Sequence, residues 1–511
     1  MSFGKYFTTT VVGILLLVSI VRLSLFDDGG PTHSFMQVGN EPATIYLPGP
    51  PPGIFEPKTR PAAVVLIHGL SFDRQAMSVL ARRLASNGYA VLAIDLPGHG
   101  ENATTFVDDL GILRDEVHLA VDHLRLSKMV DGTRIVVIGH SMGANAALEY
   151  AEHDPALKAV VAISGGISIN ATRPSNALFL FAQQDPPLVR RRSAGLAASL
   201  AGVPEIEFGK IYGDFSQGNA VEAMEVPGVG HFEIVYSDVT ARTIVQWLDH
   251  TFGIQRSKPI DLAEPRLASS AFAFAVFVIF LIWLGRLCGS IATKWPPHND
   301  GRNGLVGIAF VGIGLVTAMA LMRILWPCSL VSAFNGGGTV PWFAAGGVIL
   351  SPLALFKRLE DWHLIRARVG ATLSASVLAF SIIYVCQIYI FLPFHRLALT
   401  GERLVIALVA TLLTFPFWIA FESLVRCGGL AASICSATIG RFLILILLLV
   451  GLHLRFFPVM LVLFSPVFLG MTEIFAAAVY SISRNLLLIA LVEAAWLAWL
   501  LAAIFPITTA V

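Results

Sequence analysis

The feature that most constrains this chain is a series of long apolar runs that fills the sequence after Ala271. A helix needs about 20 apolar residues to cross the hydrocarbon core of a bilayer. Pro and Gly interrupt some of the runs, the third and seventh most of all. The second half of the chain is therefore predicted to be an all-α membrane domain. Its roughly eight predicted spans lie near residues 268–287, 304–325, 339–356, 370–392, 404–425, 438–454, 457–480 and 485–507.

The residues before this domain have the composition of a water-soluble protein. The whole chain has 14% charged residues, against about 25% in soluble proteins, and the shortfall lies in the second half. A net charge of +1 gives no electrostatic reason to expect a nucleic-acid partner. All five cysteines lie in the apolar half, so no disulfide framework is expected in the soluble part.

Another mostly apolar run, from Thr8 to Phe26, follows Lys5 at the N-terminus. A cleaved signal peptide has a shorter apolar core and a small-residue cleavage site, and we see no such site near Asp27. We therefore favour an uncleaved anchor over a signal peptide. The predicted order is an anchor (1–27), a soluble domain (28–256), a polar linker (257–267) and the membrane domain (268–511).

Short β-branched runs alternate with amphipathic segments through the soluble domain. This alternation predicts an α/β fold, in which helices cover both faces of a mostly parallel sheet. The predicted strands are 62–68, 89–95, 133–139, 157–164, 177–182 and 221–226, and the predicted helices are 72–87, 110–126, 141–152 and 238–252.

A G-x-S-x-G sequence, Gly139-His140-Ser141-Met142-Gly143, stands between a predicted strand and a predicted helix. That is the context in which this motif presents a nucleophile, because the turn is too tight for side chains at the two glycine positions. The alternative is an ordinary strand-to-helix turn whose serine only caps the helix. We predict that Ser141 is the nucleophile.

A serine hydroxyl needs a base to take its proton, and the base should follow the last strand. His231, in the segment VPGVGH, has that position, whereas His153 and His250 fall in predicted helices. The acid that orients the histidine should lie between serine and histidine in the chain. Asp185, after the strand that ends in FLFA, fits best, and Asp214 in the turn-like YGD is the alternative.

Two backbone N–H groups are predicted to form an oxyanion hole. One belongs to Leu70, in the sequence His68-Gly69-Leu70 after a strand, and the other to Met142, directly after the nucleophile. The side chain of His68 is expected to pin the loop and to play no part in catalysis. The chemistry needs no cofactor and no metal ion.

The segments VLIHGL, AIDLPGHG, VVIGHSMGANAALEYA and VPGVGH together resemble the α/β-hydrolase superfamily, close to its esterases and lipases. The resemblance covers about residues 40–253, with the motifs in the family's order. It implies an eight-stranded, mostly parallel sheet and acyl-enzyme chemistry. The stretch 164–176 is too short for the lid domain of many relatives, and 210–220 has the pattern of a small extra hairpin. We recognise no family in the membrane half.

The sequence therefore favours a membrane-bound serine hydrolase that cleaves lipophilic carboxylic esters, with the bilayer as its second partner. An acyltransferase or a peptidase with the same triad stays open. So does a transporter or receptor with a hydrolase-like domain that only binds, although competent residues at all three triad positions favour an enzyme. The membrane domain either presents an acyl substrate to Ser141 or is an independent module.

Basic residues in the short loops predict the orientation, because Lys and Arg concentrate on the cytoplasmic side. With the anchor as the first of about nine spans, alternate loops hold most of the basic residues, which places the hydrolase domain outside the cytoplasm. The membrane half also contains Glu422, Glu473 and Glu493 within predicted spans, where ionisable residues are functional candidates. Arg426 lies one turn from Glu422, which predicts a local ion pair there.

Overall fold

The computed structural model of the chain divides into two units. The sheet unit contains Leu25–Leu267 together with the short segment Leu392–Arg396. The helical unit contains Met1–Ser24, Ala268–Phe391 and Leu397–Val511. The structure describes residues 3–25, 31–49, 60–166, 175–296, 304–325, 338–356, 369–454 and 456–508.

An eight-stranded sheet forms the centre of the sheet unit, in the order β1-β2-β4-β3-β5-β6-β7-β8. The first two strands form an antiparallel hairpin, and β2 pairs antiparallel with β4. All other neighbours pair in parallel, which confirms the predicted mostly parallel sheet. The strands are β1 Thr32–Val38, β2 Glu41–Leu47, β3 Ala63–Ile67, β4 Ala90–Ile94, β5 Ile135–His140, β6 Ala159–Ile163, β7 Asn176–Ala182 and β8 Val221–Val226.

The strands β3 to β7 are buried along their whole length. Helices cover both faces of a parallel sheet, which is why these strands read as continuous apolar runs and not as alternating ones. The carboxyl ends of parallel strands lie at one edge, so the loops after β3, β5, β7 and β8 meet there. The helices of this unit are α2 Ser78–Ser86, α3 Leu110–Leu126, α4 Met142–His153, α5 Pro187–Ala201 and α6 Asp238–Phe252.

Two local sequence predictions differ from the structure. The helix predicted from residue 72 begins only at Ser78, because the preceding residues form turns in which the Asp73 carboxylate accepts the N–H of Ala76 at 2.9 Å. The hairpin predicted over 210–220 is a single antiparallel bridge between Tyr212 and Val221 around a short 3₁₀ turn, Phe215–Gln217. The Pro-rich stretch 50–59 and most of the short connection 164–176 lie outside the described residues.

The helical unit contains one helix for each of the eight predicted spans. Seven of them, among the residues the structure describes, are long and apolar enough to cross a membrane. The exception is the third, whose apolar stretch Thr339–Ala354 is shorter, as is Val11–Leu23 in the N-terminal helix. These helices are consistent with a multi-pass membrane protein. They are α1 Phe3–Leu25, α7 Pro265–Ile291, α8 Gly304–Leu325, α9 Thr339–Phe356, α10 Val369–Ile390, α11 Gly401–Val425, α12 Leu430–His453, α13 Val459–Ser483 and α14 Leu486–Ile504.

Candidate active site

The turn between β5 and α4 is a tight elbow with Ser141 at its tip. Ser141 adopts φ 53° and ψ −113°, a sparsely populated conformation that persists only where the surroundings impose it. A Cβ on Gly139 would lie 2.0 Å from the carbonyl oxygen of Gly143, and one on Gly143 would lie 2.5 Å from that of His68. Both contacts are impossible, so the close approach of strand and helix requires glycine at both positions.

Three side chains from three loops form one hydrogen-bonded chain at the carboxyl edge of the sheet. His231 Nε2 lies 3.0 Å from the Oγ of Ser141, and His231 Nδ1 lies 2.5 Å from Oδ1 of Asp185. The Asp185 side chain is fully buried, whereas the His231 ring is 21% exposed. The ring can therefore exchange protons with a bound molecule while its far nitrogen stays tied to a carboxylate.

Asp185 is held in place by two further donors. Its Oδ2 accepts the hydroxyl of Ser164 at 2.6 Å and the N–H of Ala182 at 2.8 Å. Burial alone raises the pKa of Asp185, but the hydrogen bonds from His231, Ser164 and Ala182 outweigh it and hold this pKa below its ordinary value. The carboxylate is thus ionised at neutral pH.

His140, the residue directly before Ser141 in the G-x-S-x-G motif, supports the loop that carries His231. Its Nε2 lies 2.8 Å from the backbone carbonyl of His231, so this nitrogen must carry the proton and donate. Burial, followed by the nearby His231, lowers the pKa of His140 to about 3. His140 is therefore neutral at physiological pH and adds no positive charge beside His231.

The predicted oxyanion loop runs from β3 past Ser141. A Cβ on Gly69 would lie 2.8 Å from His140 Nδ1 and 3.1 Å from the Cβ of Ser141, so the backbone passes directly beside the nucleophile. The N–H of Met142 opens α4 and has no partner within its own helix. Within the described part of the chain, the N–H of Leu70 makes no backbone hydrogen bond. Both donors are thus available for a ligand oxygen near Ser141.

His68 fixes the start of this loop, as the sequence predicts for its side chain. Its Nε2 accepts the N–H of Leu96 at 3.0 Å, and its Nδ1 lies 2.8 Å from the carbonyl of Gly69. The ring is fully buried, and burial lowers its pKa despite the nearby Asp95. A neutral ring with one donor and one acceptor satisfies both contacts.

The comparisons with known proteins concern the same part of the chain. The family described as serine aminopeptidase, S33, matches residues 58–200. A Haemophilus influenzae protein named as an esterase/lipase is 33% identical over 86 residues, which cover 17% of this chain and 28% of that protein. Cutinase est1 of Thermobifida alba is 27% identical over 108 residues, which cover 20% of this chain and 34% of the cutinase.

The matched segments therefore span about a third or less of these relatives. A solved structure of a hypothetical protein from Pseudomonas aeruginosa aligns with 44% of this chain and 95% of its own at 16% identity, but the TM-score of 0.34 supports no inference. The family match includes both the elbow and the loop after β3, and the sheet has the eight strands and mostly parallel pairing that the resemblance implies. The described residues between 32 and 252 therefore have an α/β-hydrolase-like fold.

The hydrolase domain does not bring the alternative residues to Ser141. Asp214 caps the short 3₁₀ turn, where it accepts the N–H and the hydroxyl of Ser216. His153, at the end of α4, lies 2.8 Å from the carbonyl of Glu149. His250 stacks on Phe215 with ring centroids 5.3 Å apart.

Sequence reasoning missed Ser164 and the supporting role of His140. Ser164 is buried with φ 50° and directly follows β6, which lies between the strands that precede Ser141 and Asp185. A polar residue at the end of a central strand was the available signal. This signal points to a partner of Asp185 only when the strand order is known.

The helical unit contains a buried charge network larger than the predicted pair of Glu422 and Arg426. Both contact other helices as well: Arg441 lies 2.8 Å from Glu422, and Glu473 lies 2.8 Å from Arg426 and 2.5 Å from Arg441. Glu493 pairs with Arg441. Paired charges of this kind avoid the cost of isolated buried ions. A functional role for Glu473 and Glu493 stays a prediction.

Proposed function

We propose that this chain is a membrane-bound serine hydrolase that cleaves carboxylic esters through an acyl-enzyme on Ser141. The observation that carries the proposal is the hydrogen-bonded chain from Ser141 through His231 to Asp185. It lies beside two N–H donors at the carboxyl edge of an α/β-hydrolase sheet. Such a constellation is recognised by geometry and roles and not by sequence position.

In the proposed reaction, Ser141 Oγ bonds to the acyl carbon while its proton moves to His231 Nε2. The carbonyl oxygen becomes an oxyanion and accepts hydrogen bonds from the N–H groups of Leu70 and Met142, which stabilise it in the transition state. Collapse breaks the ester C–O bond, and the leaving alkoxide takes the proton from His231. In the second half of the reaction, water attacks the acyl carbon and gives a proton to His231 Nε2. The bond to Ser141 Oγ then breaks, this oxygen takes the proton back, and the acid is released. Asp185 keeps the imidazole oriented throughout.

We propose lipophilic acyl esters as the substrate class. The supporting observation is that the described residues of the same polypeptide include seven helices of membrane length, which would hold the enzyme where lipid esters concentrate. A single spanning helix would already anchor it almost irreversibly. The larger helical unit is more than an anchor requires.

The family description favours one second candidate, a peptidase that uses the same triad. Purified full-length protein should be assayed on monoacylglycerols of graded chain length and on dipeptides. We expect ester turnover with a preference for longer acyl chains, and negligible dipeptide cleavage. Dipeptide turnover with a higher kcat/KM than any monoacylglycerol would favour the peptidase. Labelling of Ser141 by a fluorophosphonate without turnover of either class would favour acyl transfer.

We further propose that the hydrolase domain lies outside the cytoplasm. The basic loops support this orientation. One compact unit contains both Leu25–Leu267 and Leu392–Arg396, so the chain must cross the membrane an even number of times between them. Among the described residues of that interval, three helices have membrane length: α7, α8 and α10. The parity therefore supports a fourth crossing by the shorter α9.

The orientation predicts that a cysteine in the hydrolase domain reacts from outside the cell. In a chain whose native cysteines are replaced, Ser86→Cys should be labelled by a membrane-impermeant maleimide on intact cells, because Ser86 is exposed at the end of α2. Gly429→Cys is the matched control, in an exposed turn with open space around its Cβ. It lies in the loop after α11, which Arg426 and Arg441 flank, so the basic residues predict that it is cytoplasmic. It should therefore react only after permeabilisation. The reverse pattern would invert the topology.

A further inference from the structure

The segment Leu392–Arg396 belongs to the sheet unit although it lies between the membrane-length helices α10 and α11. It contacts the residues that follow the oxyanion loop. Gln75 donates its side-chain amide to the carbonyl of Leu392 at 2.6 Å. The ring of Tyr236, shortly after His231, packs edge-on against Phe394 with centroids 5.4 Å apart.

His395 is the centre of these contacts. Its Nε2 lies 3.2 Å from the backbone carbonyl of Ser71, and its Nδ1 lies 2.7 Å from Oδ2 of Asp73. Both partners are acceptors, so the ring satisfies both when each nitrogen carries a proton. The His395 ring thus connects two residues of the loop that holds Leu70.

Asp73 is the fixed end of this connection. It is completely buried and also accepts the N–H of Ala76 at 2.9 Å and that of Arg396 at 2.7 Å. Burial raises its pKa, but the charge and hydrogen bond of His395, with these backbone donors, hold the pKa of Asp73 well below its ordinary range. The Asp73 carboxylate therefore stays ionised and remains an acceptor for the His395 ring.

The loop needs such support because its backbone is strained. Ser71 has φ 62°, and a residue other than glycine in the left-handed region persists only where its surroundings impose it. Phe72 supports the loop from one side, stacked on His140 with centroids 5.5 Å apart. The hydrogen bond from His395 holds the carbonyl of Ser71 itself, one residue after Leu70.

We propose that His395 is a positioning residue for the oxyanion hole: by holding Ser71 and Asp73 it aims the N–H of Leu70 at the acyl oxygen. This inference rests on the proposed function, since it assigns Leu70 to that reaction. It also means that a loop between two membrane helices supplies a residue on which catalysis depends. His395 touches no reacting atom and acts through the loop.

The test compares full-length wild type with His395→Ala, with active sites counted by fluorophosphonate labelling taken to completion. Loss of an entire oxyanion donor costs about 10²–10³-fold in kcat, and a misaimed donor should cost less. We expect kcat per labelled site to fall about 10–100-fold, with KM nearly unchanged. Affinity for a trifluoromethyl ketone, which forms an oxyanion on Ser141, should fall in parallel with kcat/KM.

Arg396→Ala is the matched control. It removes the side-chain contact with Glu101 at 2.7 Å but keeps the backbone N–H that Asp73 accepts, so kcat should stay close to wild type. If His395→Ala does not fold, His395→Asn takes its place, since its amide can still donate to one acceptor, and an intermediate loss of kcat is expected.

Unchanged kcat per labelled site in the His395 variant would overturn the inference. So would a rise in KM with kcat intact, because that indicates a substrate-binding role. A merely structural role would lower the number of labelled sites or the Tm while each remaining site turned over normally. Full activity of Ser141→Ala would instead overturn the proposed function, so the two failures are distinguishable.

Discussion

Ser141→Ala is expected to lower kcat on lipophilic esters by a factor on the order of 10⁶ and to abolish fluorophosphonate labelling. The substitution removes the Oγ that is proposed to form the acyl-enzyme. The residual rate, about 10³–10⁴ over uncatalysed hydrolysis, would come from the oxyanion hole and substrate binding and would lie below the detection limit of an ordinary assay. Turnover should be measured on purified protein under substrate saturation.

Ser86→Ala is the control for this experiment, because Ser86 is an exposed residue at the end of α2. It should keep wild-type kcat and full labelling. The Tm of both variants should lie close to wild type, since removing the Ser141 hydroxyl relieves no packing and leaves no buried carboxylate unpaired. Ester turnover that survives Ser141→Ala would refute the proposed nucleophile.

Asp185→Asn is expected to lower kcat about 10⁴-fold while labelling becomes very slow. The amide introduced by this substitution would donate to His231 Nδ1, so the proton of the ring would move to Nε2. That nitrogen could then no longer accept the hydroxyl proton of Ser141, which lies 3.0 Å away. The measurement is the pre-steady-state rate of acylation, which isolates this step from deacylation.

Asp214→Asn separates this role from a general effect of losing a carboxylate. Asp214 is exposed and caps a 3₁₀ turn through Ser216, so the variant should unfold at a Tm close to wild type and keep its acylation rate. A larger loss of kcat in Asp214→Asn than in Asp185→Asn would reverse the assignment of the acid.

Local pattern in the sequence predicted six of the eight strands of the hydrolase domain, all except those of the hairpin β1-β2. Burial of a parallel sheet on both faces produces runs such as AAVVLIH and TRIVVIG, so strand positions can be predicted without knowing which strands pair. The elbow could also be predicted from the sequence, because the tight turn requires Gly139 and Gly143 within five consecutive residues. His231 and Asp185 could be proposed because they follow strands, and the structure brings Asp185, not the alternative Asp214, to His231.

The tertiary structure decided what depends on strand order and on distant segments. Ser164 became a partner of Asp185 because β6 lies between β5 and β7, and no periodicity encodes that neighbour. The wider charge network around Glu422 joins residues up to 71 positions apart (422 to 493). The long apolar runs identified the helices that carry these charges, but they do not show which helices contact one another.

Leu392–Arg396 is the clearest example. Hydropathy identifies it only as the polar interval between two apolar runs, and its sequence, LPFHR, contains no motif. Its contacts with Ser71 and Asp73 span more than 300 positions. A sequence pattern reflects local requirements, such as the backbone conformation of a turn or the burial of a strand. The partners of His395 lie more than 300 positions away in the chain, so only the folded structure brings them together.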